Sequence, residues 1–168
     1  MLRVEIGDIE RGPVDIAGSV AADDPLLEGV GFELAEPVAV SGRVSSASPG
    51  RFYWNGRLVT QRVGRCRRCL VATSVPVDAA VALMFAEEVD PDDPSQYPIA
   101  PGKSAIEMDE AVREELILAV GQYVLCRTDC KGLCVQCGAD LNKSPCDCQP
   151  PTDPRWAGLE AVKTKIEE

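Results

Sequence analysis

Apolar and polar positions alternate roughly, with β-branched residues enriched, over residues 38–45 and 56–63, and the same pattern runs on through 71–85. These stretches predict an antiparallel β-region, and Asn55-Gly56 between the first two predicts a tight two-residue hairpin, because such a turn needs positive φ. Residues 91–102 hold Pro91, Pro94, Pro98 and Pro101-Gly102 among acids, which predicts a loop with little regular structure. The period then changes. Over 109–124, Val112, Leu116, Ala119, Val120 and Tyr123 share one helical face, with Asp109 placed to cap it and Glu110, Arg113 and Glu114 largely opposite. After Pro150-Pro151, Asp153-Pro154 predicts the start of a last helix burying Trp156, Leu159, Val162 and Ile166, weakened by Gly158. The expected fold class is α+β: an antiparallel β-region, a central helix, and a C-terminal Cys-rich module followed by a terminal helix. The expected organisation is a β-rich region over 1–90, an acidic Pro-rich loop over 91–108, and helix, module and last helix over 109–168, all integrated into one unit.

Composition sets bounds on chemistry. The 168 residues, 45% apolar and 26% charged, suit one domain or a domain with an appended module. There is no histidine, which excludes Ser-His-Asp triads, Cys-His dyads and His-ligated metals. No basic cap precedes an apolar run at the N-terminus, and no stretch approaches the ~18 apolar residues of a membrane span, so a cytoplasmic protein without membrane contact is expected.

The net charge of −10 conceals a segregation. Residues 37–77 carry seven arginines (43, 51, 57, 62, 65, 67 and 68) and no acid, whereas 1–36 and 78–118 are strongly acidic. Such a chain can show phosphates one surface and a basic partner another. The competing reading is that the arginines pair internally with the flanking acids.

Eight cysteines form four close pairs: Cys66/Cys69, Cys126/Cys130, Cys134/Cys137 and Cys146/Cys148. A Cys-x-x-Cys turn sets two sulfurs at two corners of a tetrahedron, and Gly138 after Cys137 suits the turn of backbone amides towards sulfur. In a reducing compartment this clustering predicts zinc rather than disulfides, in closed structural sites. Two arrangements stand. Two ions would occupy a local site of Cys134, Cys137, Cys146 and Cys148 and a long-range site joining Cys66 and Cys69 to Cys126 and Cys130. A single ion would sit on Cys66, Cys69, Cys134 and Cys137. An iron–sulfur cluster or a redox dithiol is the non-zinc alternative, the latter favoured by the arginines beside Cys66 and Cys69.

The string from Cys126 through Cys130, Lys131-Gly132-Leu133-Cys134, Cys137-Gly138 and Asp140-Leu141-Asn142 to Cys146 and Cys148 resembles the signature of the YceD-type large ribosomal RNA subunit accumulation proteins. Upstream, Gly64-Arg65-Cys66-Arg67-Arg68-Cys69-Leu70 is similar to that family's cysteine turn. The helix over 112–119 and Asp153-Pro154-Arg155-Trp156 also match, so the resemblance spans about residues 37–160. It implies a role in synthesis, processing or accumulation of 23S ribosomal RNA, through an rRNA precursor, a basic large-subunit ribosomal protein, or both. Some relatives lack most of the C-terminal cysteines, which implies an architectural metal. The family supplies no catalytic residue.

Among surfaces, Arg51 and Arg57 flank Phe52, Tyr53 and Trp54; the two outer aromatics are expected inward and Tyr53 outward, leaving the arginines as candidates for RNA or partner contact. Arg65, Arg67 and Arg68 around the first cysteine pair are the stronger candidates. The acids Glu87, Glu88, Asp90, Asp92 and Asp93 read as a solvated loop, and no phosphate-binding glycine loop or nucleophile motif occurs. The expected function is therefore a non-enzymatic ribosome-assembly factor without a small-molecule substrate. A zinc- or thiol-based redox sensor or holdase is the alternative.

Overall fold

The structure is a computed structural model that describes residues 2–93, 95–149 and 155. Its elements run β1 (Arg3–Glu5), α1 (Ile6–Arg11), β2 (Val14–Val20), a 3-10 turn (Pro25–Leu27), β3 (Glu33–Leu34), β4 (Val38–Ser48), β5 (Arg51–Arg65), β6 (Ala72–Ala86), β7 (Gln96–Pro98), β8 (Ala105–Glu107) and α2 (Asp109–Ala119). The main sheet has the order β2-β4-β5-β6-β7, with β3 pairing on β5. All its pairings are antiparallel except β6 with β7, and β1 and β8 form a separate two-stranded sheet. Mostly sheet with two helices among the described residues, the fold agrees with the α+β expectation.

Alternation along the long strands determines what lies inside. Val38, Val40, Val44, Phe52, Trp54, Leu58, Val81, Leu83 and Phe85 project to one face, where they meet Ile9 of α1 and Val112 and Leu116 of α2. Phe52 and Trp54 are buried and Tyr53 is exposed, as the alternation requires.

The Asn55-Gly56 turn is not formed. The chain reverses instead at Pro49-Gly50, with Gly50 at φ +71°, and Gly56 lies within β5 opposite Gly42 of β4. The reason is the indole of Trp54. A Cβ on Gly56 would sit 2.4 Å from Trp54 Nε1, and one on Gly42 would sit 2.7 Å from it. The glycine pair is thus a slot for the indole across two strands, not a turn.

The proline-rich stretch also differs from a plain loop, because β7 and β8 both fall within 91–108. Helix α2 is shorter than the predicted 109–124. It closes at Val120, whose amide donates to Leu116 O at 2.9 Å while its own backbone is extended, and Gly121 follows. Asp109 is the first helical residue and not the cap; its carboxylate accepts the Leu2 amide at 2.8 Å and so ties β1 to the helix. Tyr123, beyond the helix end, is exposed instead of sharing the buried face. The predicted terminal helix with Trp156, Leu159, Val162 and Ile166 lies outside the described residues.

Candidate metal centres

The end of the β5–β6 hairpin is the turn Cys66–Cys69. Backbone hydrogen bonds shape it: Leu70 N donates to Cys66 O at 2.9 Å, and Cys66 N to Val71 O at 2.9 Å. Leu70 takes φ +61°, the left-handed region that costs a branched residue about 1–2 kcal/mol. The second Cys-x-x-Cys turn repeats this design. Gly138 N donates to Cys134 O at 2.9 Å and Gly138 takes φ +74°. Leucine in one turn and glycine in the other occupy the same backbone position.

The chain after α2 is laid against the first turn. Arg62 donates to Gly121 O, Arg67 N donates to Val124 O at 2.9 Å, and Cys66 bridges Val124. Arg68 then holds Thr128 O at 3.1 Å and Cys130 O at 2.9 Å, while Leu133 N donates to Arg68 O at 3.1 Å. These hydrogen bonds bring Cys126 and Cys130 onto Cys66 and Cys69. The Cys66–Cys130 and Cys69–Cys126 sulfur pairs lie 3.9 Å and 3.7 Å apart. Cys134, Cys137, Cys146 and Cys148 form a second group; within each group every sulfur lies within 4.8 Å of the others. The grouping is the two-site arrangement, and the combination of Cys66 and Cys69 with Cys134 and Cys137 is not formed. Among the described residues these are the groups that bring three or more ligating side chains together.

The spacing carries chemical information. A disulfide would need about 2.05 Å between sulfurs. Thiolates bonded to one tetrahedral ion at ~2.3 Å stand about 3.8 Å apart, and the two measured pairs straddle that value. A multi-iron cluster would spread its ligands around several metal atoms, which suits these close groups poorly.

Electrostatics point the same way. Backbone amides at Cys126, Cys69 and Arg68 donate to Cys66 and hold its thiol down at about 6. Amides at Cys137 and Gln136 do the same for Cys134, also about 6. Burial and the adjacent thiols push Cys126 up to about 12; Cys137 and then burial push Cys148 up to about 12. Crowded sulfurs oppose one another's ionisation, and a dication is what allows four to carry charge together. The donor sets therefore fit metal ions.

The groups differ in exposure. Cys66 and Cys130 are buried, whereas Cys137 and Cys148 are exposed. The first group joins the hairpin to the chain beyond α2, and the second closes a local loop.

The arginine strip divides in two. Arg43 and Arg57 form forked ion pairs with Asp15 and Asp78, partners from the acidic segments on either side. Asp15 and Asp78 are accordingly held below the ordinary carboxylate range by those guanidiniums. Arg65, Arg67 and Arg68 have no carboxylate partner among the described residues. Arg51 is exposed at the far end of β5, away from the cysteine turn. Sequence reasoning assigned no role to Asn142, which joins the loop between Cys137 and Cys146 to Cys130, and placed Tyr123 on a helical face, whereas it lies beneath Arg67; Gly121 was the available sign that the helix stops before Tyr123.

A sheet whose longest hairpin ends in a Cys-x-x-Cys turn, clamped to a cysteine-rich segment after one helix, defines a class of sheet proteins with an appended thiolate module. The chain belongs to the YceD family, described as large ribosomal RNA subunit accumulation protein, whose model matches residues 54–163. It is 34% identical to an uncharacterized protein of Mycobacterium tuberculosis over 130 residues, 70% of this chain and 58% of the relative. An uncharacterized Mycobacterium leprae protein is 30% identical over 146 residues, 79% of this chain and 62% of the relative. The chloroplastic large ribosomal RNA subunit accumulation protein YCED homolog 1 of Zea mays is 35% identical over 72 residues, 42% of this chain and 24% of that protein. The chain thus spans about three-fifths of the length of its mycobacterial relatives. No solved structure matches.

Proposed function

We propose that this protein is a non-enzymatic ribosome-biogenesis factor that supports accumulation of 23S ribosomal RNA by binding its precursor, with two zinc ions serving as structural staples. Membership of the family over residues 54–163 carries the reading, since that span contains both cysteine groups and the basic turn between β5 and β6. Cys66, Cys69, Cys126 and Cys130 would hold one ion, and Cys134, Cys137, Cys146 and Cys148 the other. A closed four-thiolate site leaves no open coordination position, so zinc here supplies folding free energy and not Lewis acidity.

Arg65 and Arg67 would meet phosphate, while Arg68 is engaged with the carbonyls of the metal module. Arg57 is neutralised by Asp78 and contributes less. Basic large-subunit ribosomal proteins are the other partner class, suited to the acidic segment over 78–118. Depletion should lower mature 23S rRNA, and the tagged protein should co-sediment with large-subunit precursors. Unchanged 23S rRNA and absence from those fractions would remove the proposal.

The exposure of Cys137 and Cys148 favours a second reading, a thiol-based sensor. It would release metal and form specific disulfides under mild oxidant, without ribosomal association.

A further inference from the structure

The segment after α2 carries an aromatic side chain at the surface. Tyr123 is 65% exposed, yet the backbone around it is pinned on both sides: Gly121 O by Arg62, and Val124 O by Arg67 N at 2.9 Å. Val124 itself is buried against β5, where a Cβ on Gly64 would lie 3.1 Å from it. The Arg67 guanidinium lies over the Tyr123 ring, 4.5 Å from its centroid. Arg67 thus anchors the segment through its backbone and stacks on it through its side chain.

Three features make this more than a packing detail. An aromatic ring so exposed leaves most of its surface open to a ligand. The guanidinium already lies over the ring, so part of the conformational entropy cost of assembling a cationic aromatic surface is met before a ligand arrives. Finally, Arg65 and Arg68 flank it without carboxylate partners among the described residues. With Arg67 they exceed the formal −2 that four thiolates and one dication would leave on the first cysteine group.

We infer that Arg67 and Tyr123 form a stacking platform for an unpaired base of single-stranded RNA, with Arg65 placing positive charge along the adjoining backbone while Arg68 holds the carbonyls of the cysteine module behind it. This rests on the RNA-binding reading above and specifies the form of RNA that the site takes. A duplex presents its backbone to the arginines but keeps its base faces stacked inside, out of reach of the ring. An acidic peptide would use the arginines and leave the ring unused.

The test uses the metal-loaded full chain with a single-stranded RNA of about twelve nucleotides and a duplex of the same sequence. Tyr123→Ala should weaken single-strand binding on the order of tenfold, the loss expected for one stacked base, and leave duplex binding unchanged. Tyr123→Phe should restore affinity to within about twofold, because the ring face is retained. Ultraviolet crosslinking of the unaltered protein, mapped by mass spectrometry, reads the site without substitution and should place an adduct at Tyr123. Equal losses for single strand and duplex, unchanged single-strand affinity, or adducts only elsewhere would overturn the platform. In those cases measurable RNA binding by the unaltered chain leaves the broader reading standing. No binding of either RNA by the unaltered chain overturns both.

Discussion

The side-chain amide of Asn142 donates to Cys130 Sγ at 3.6 Å and to Asp140 Oδ1 at 2.8 Å. Its carbonyl accepts from Lys131 N at 2.8 Å and from Arg127 at 2.7 Å. One amide therefore ties the buried cysteine group to the loop that closes the exposed one. The amide is suited to this because it donates to sulfur on one side and accepts from backbone on the other.

Replacing it should uncouple the two groups. Asn142→Ala is expected to cost about 1–3 kcal/mol, read as a lower thermal midpoint together with faster metal loss to a chelator. Asn142→Asp should be at least as damaging, since it removes the donor to Cys130 and sets a negative charge beside the thiolates. A variant with unaltered midpoint and release rate would show that the link carries no stability.

Exposure predicts the order of metal removal. A chromophoric chelator should take the ion from Cys134, Cys137, Cys146 and Cys148 first, because Cys137 and Cys148 are open to solvent and Cys66 and Cys130 are not. Two release phases are expected, with the sheet melting only after the second. A single phase, or protein purified anaerobically without bound metal, would contradict the arrangement.

The matched turns invite reciprocal substitutions. Leu70→Gly should stabilise by about 0.5–1 kcal/mol, as left-handed strain is relieved and an exposed side chain forfeits little packing. Gly138→Ala should cost about 1 kcal/mol. Gly132→Ala should cost more than Gly138→Ala, because Gly132 also has positive φ and its Cβ would lie 3.0 Å from Arg68 O. Thermal melts of the metal-loaded protein test the ranking.

Glu115 gives a pH signature. Burial, and then the charge of Glu114, raise its carboxyl above the ordinary value. A raised carboxyl means the folded state binds the proton more tightly, so stability is lost as pH rises through the folded value, and the penalty is complete at neutral pH. Glu115→Gln should therefore raise the thermal midpoint at pH 7, with the gain shrinking as pH falls towards the ordinary carboxylate range. A gain independent of pH would point to something other than ionisation.

The arginines should separate by task. Arg65→Ala and Arg67→Ala should each flatten the salt dependence of single-strand binding, by about 0.7 in the log–log slope for each phosphate no longer neutralised. Arg68→Ala should chiefly destabilise the cysteine module, since its guanidinium is occupied by the carbonyls of Thr128 and Cys130. Unchanged slopes for Arg65→Ala and Arg67→Ala would discard this surface as the RNA-binding face.

Much of the architecture is legible in local pattern. Alternation marks β4 and β6 to within three residues and the second half of β5, whose first five residues precede the predicted run, because one sheet face is buried along their length; period 3.6 marks α2 because it lies on that face. Where local rules mislead, a distant residue decides. Asn55-Gly56 carries a strong turn signal, but the Trp54 indole claims the space above Gly56 and Gly42 and the turn moves to Gly50. Tyr123 fits the helical period, but Gly121 and the pull of the Cys66 turn on Val124 end the helix first.

By itself, the sequence determined that any metal here would have thiolate or carboxylate ligands, because it contains no histidine, and that positive charge would concentrate in one strip. Residue types and spacings along a chain are local quantities, and those conclusions need nothing more. Which cysteines meet, which arginines stay unpaired and which aromatic faces solvent depend on pairs far apart in the chain, such as Cys66 with Cys130 and Arg43 with Asp15. Only the sheet register and the docking of the segment after α2 decided them. They bring together residues whose separation along the chain carries no trace of the encounter.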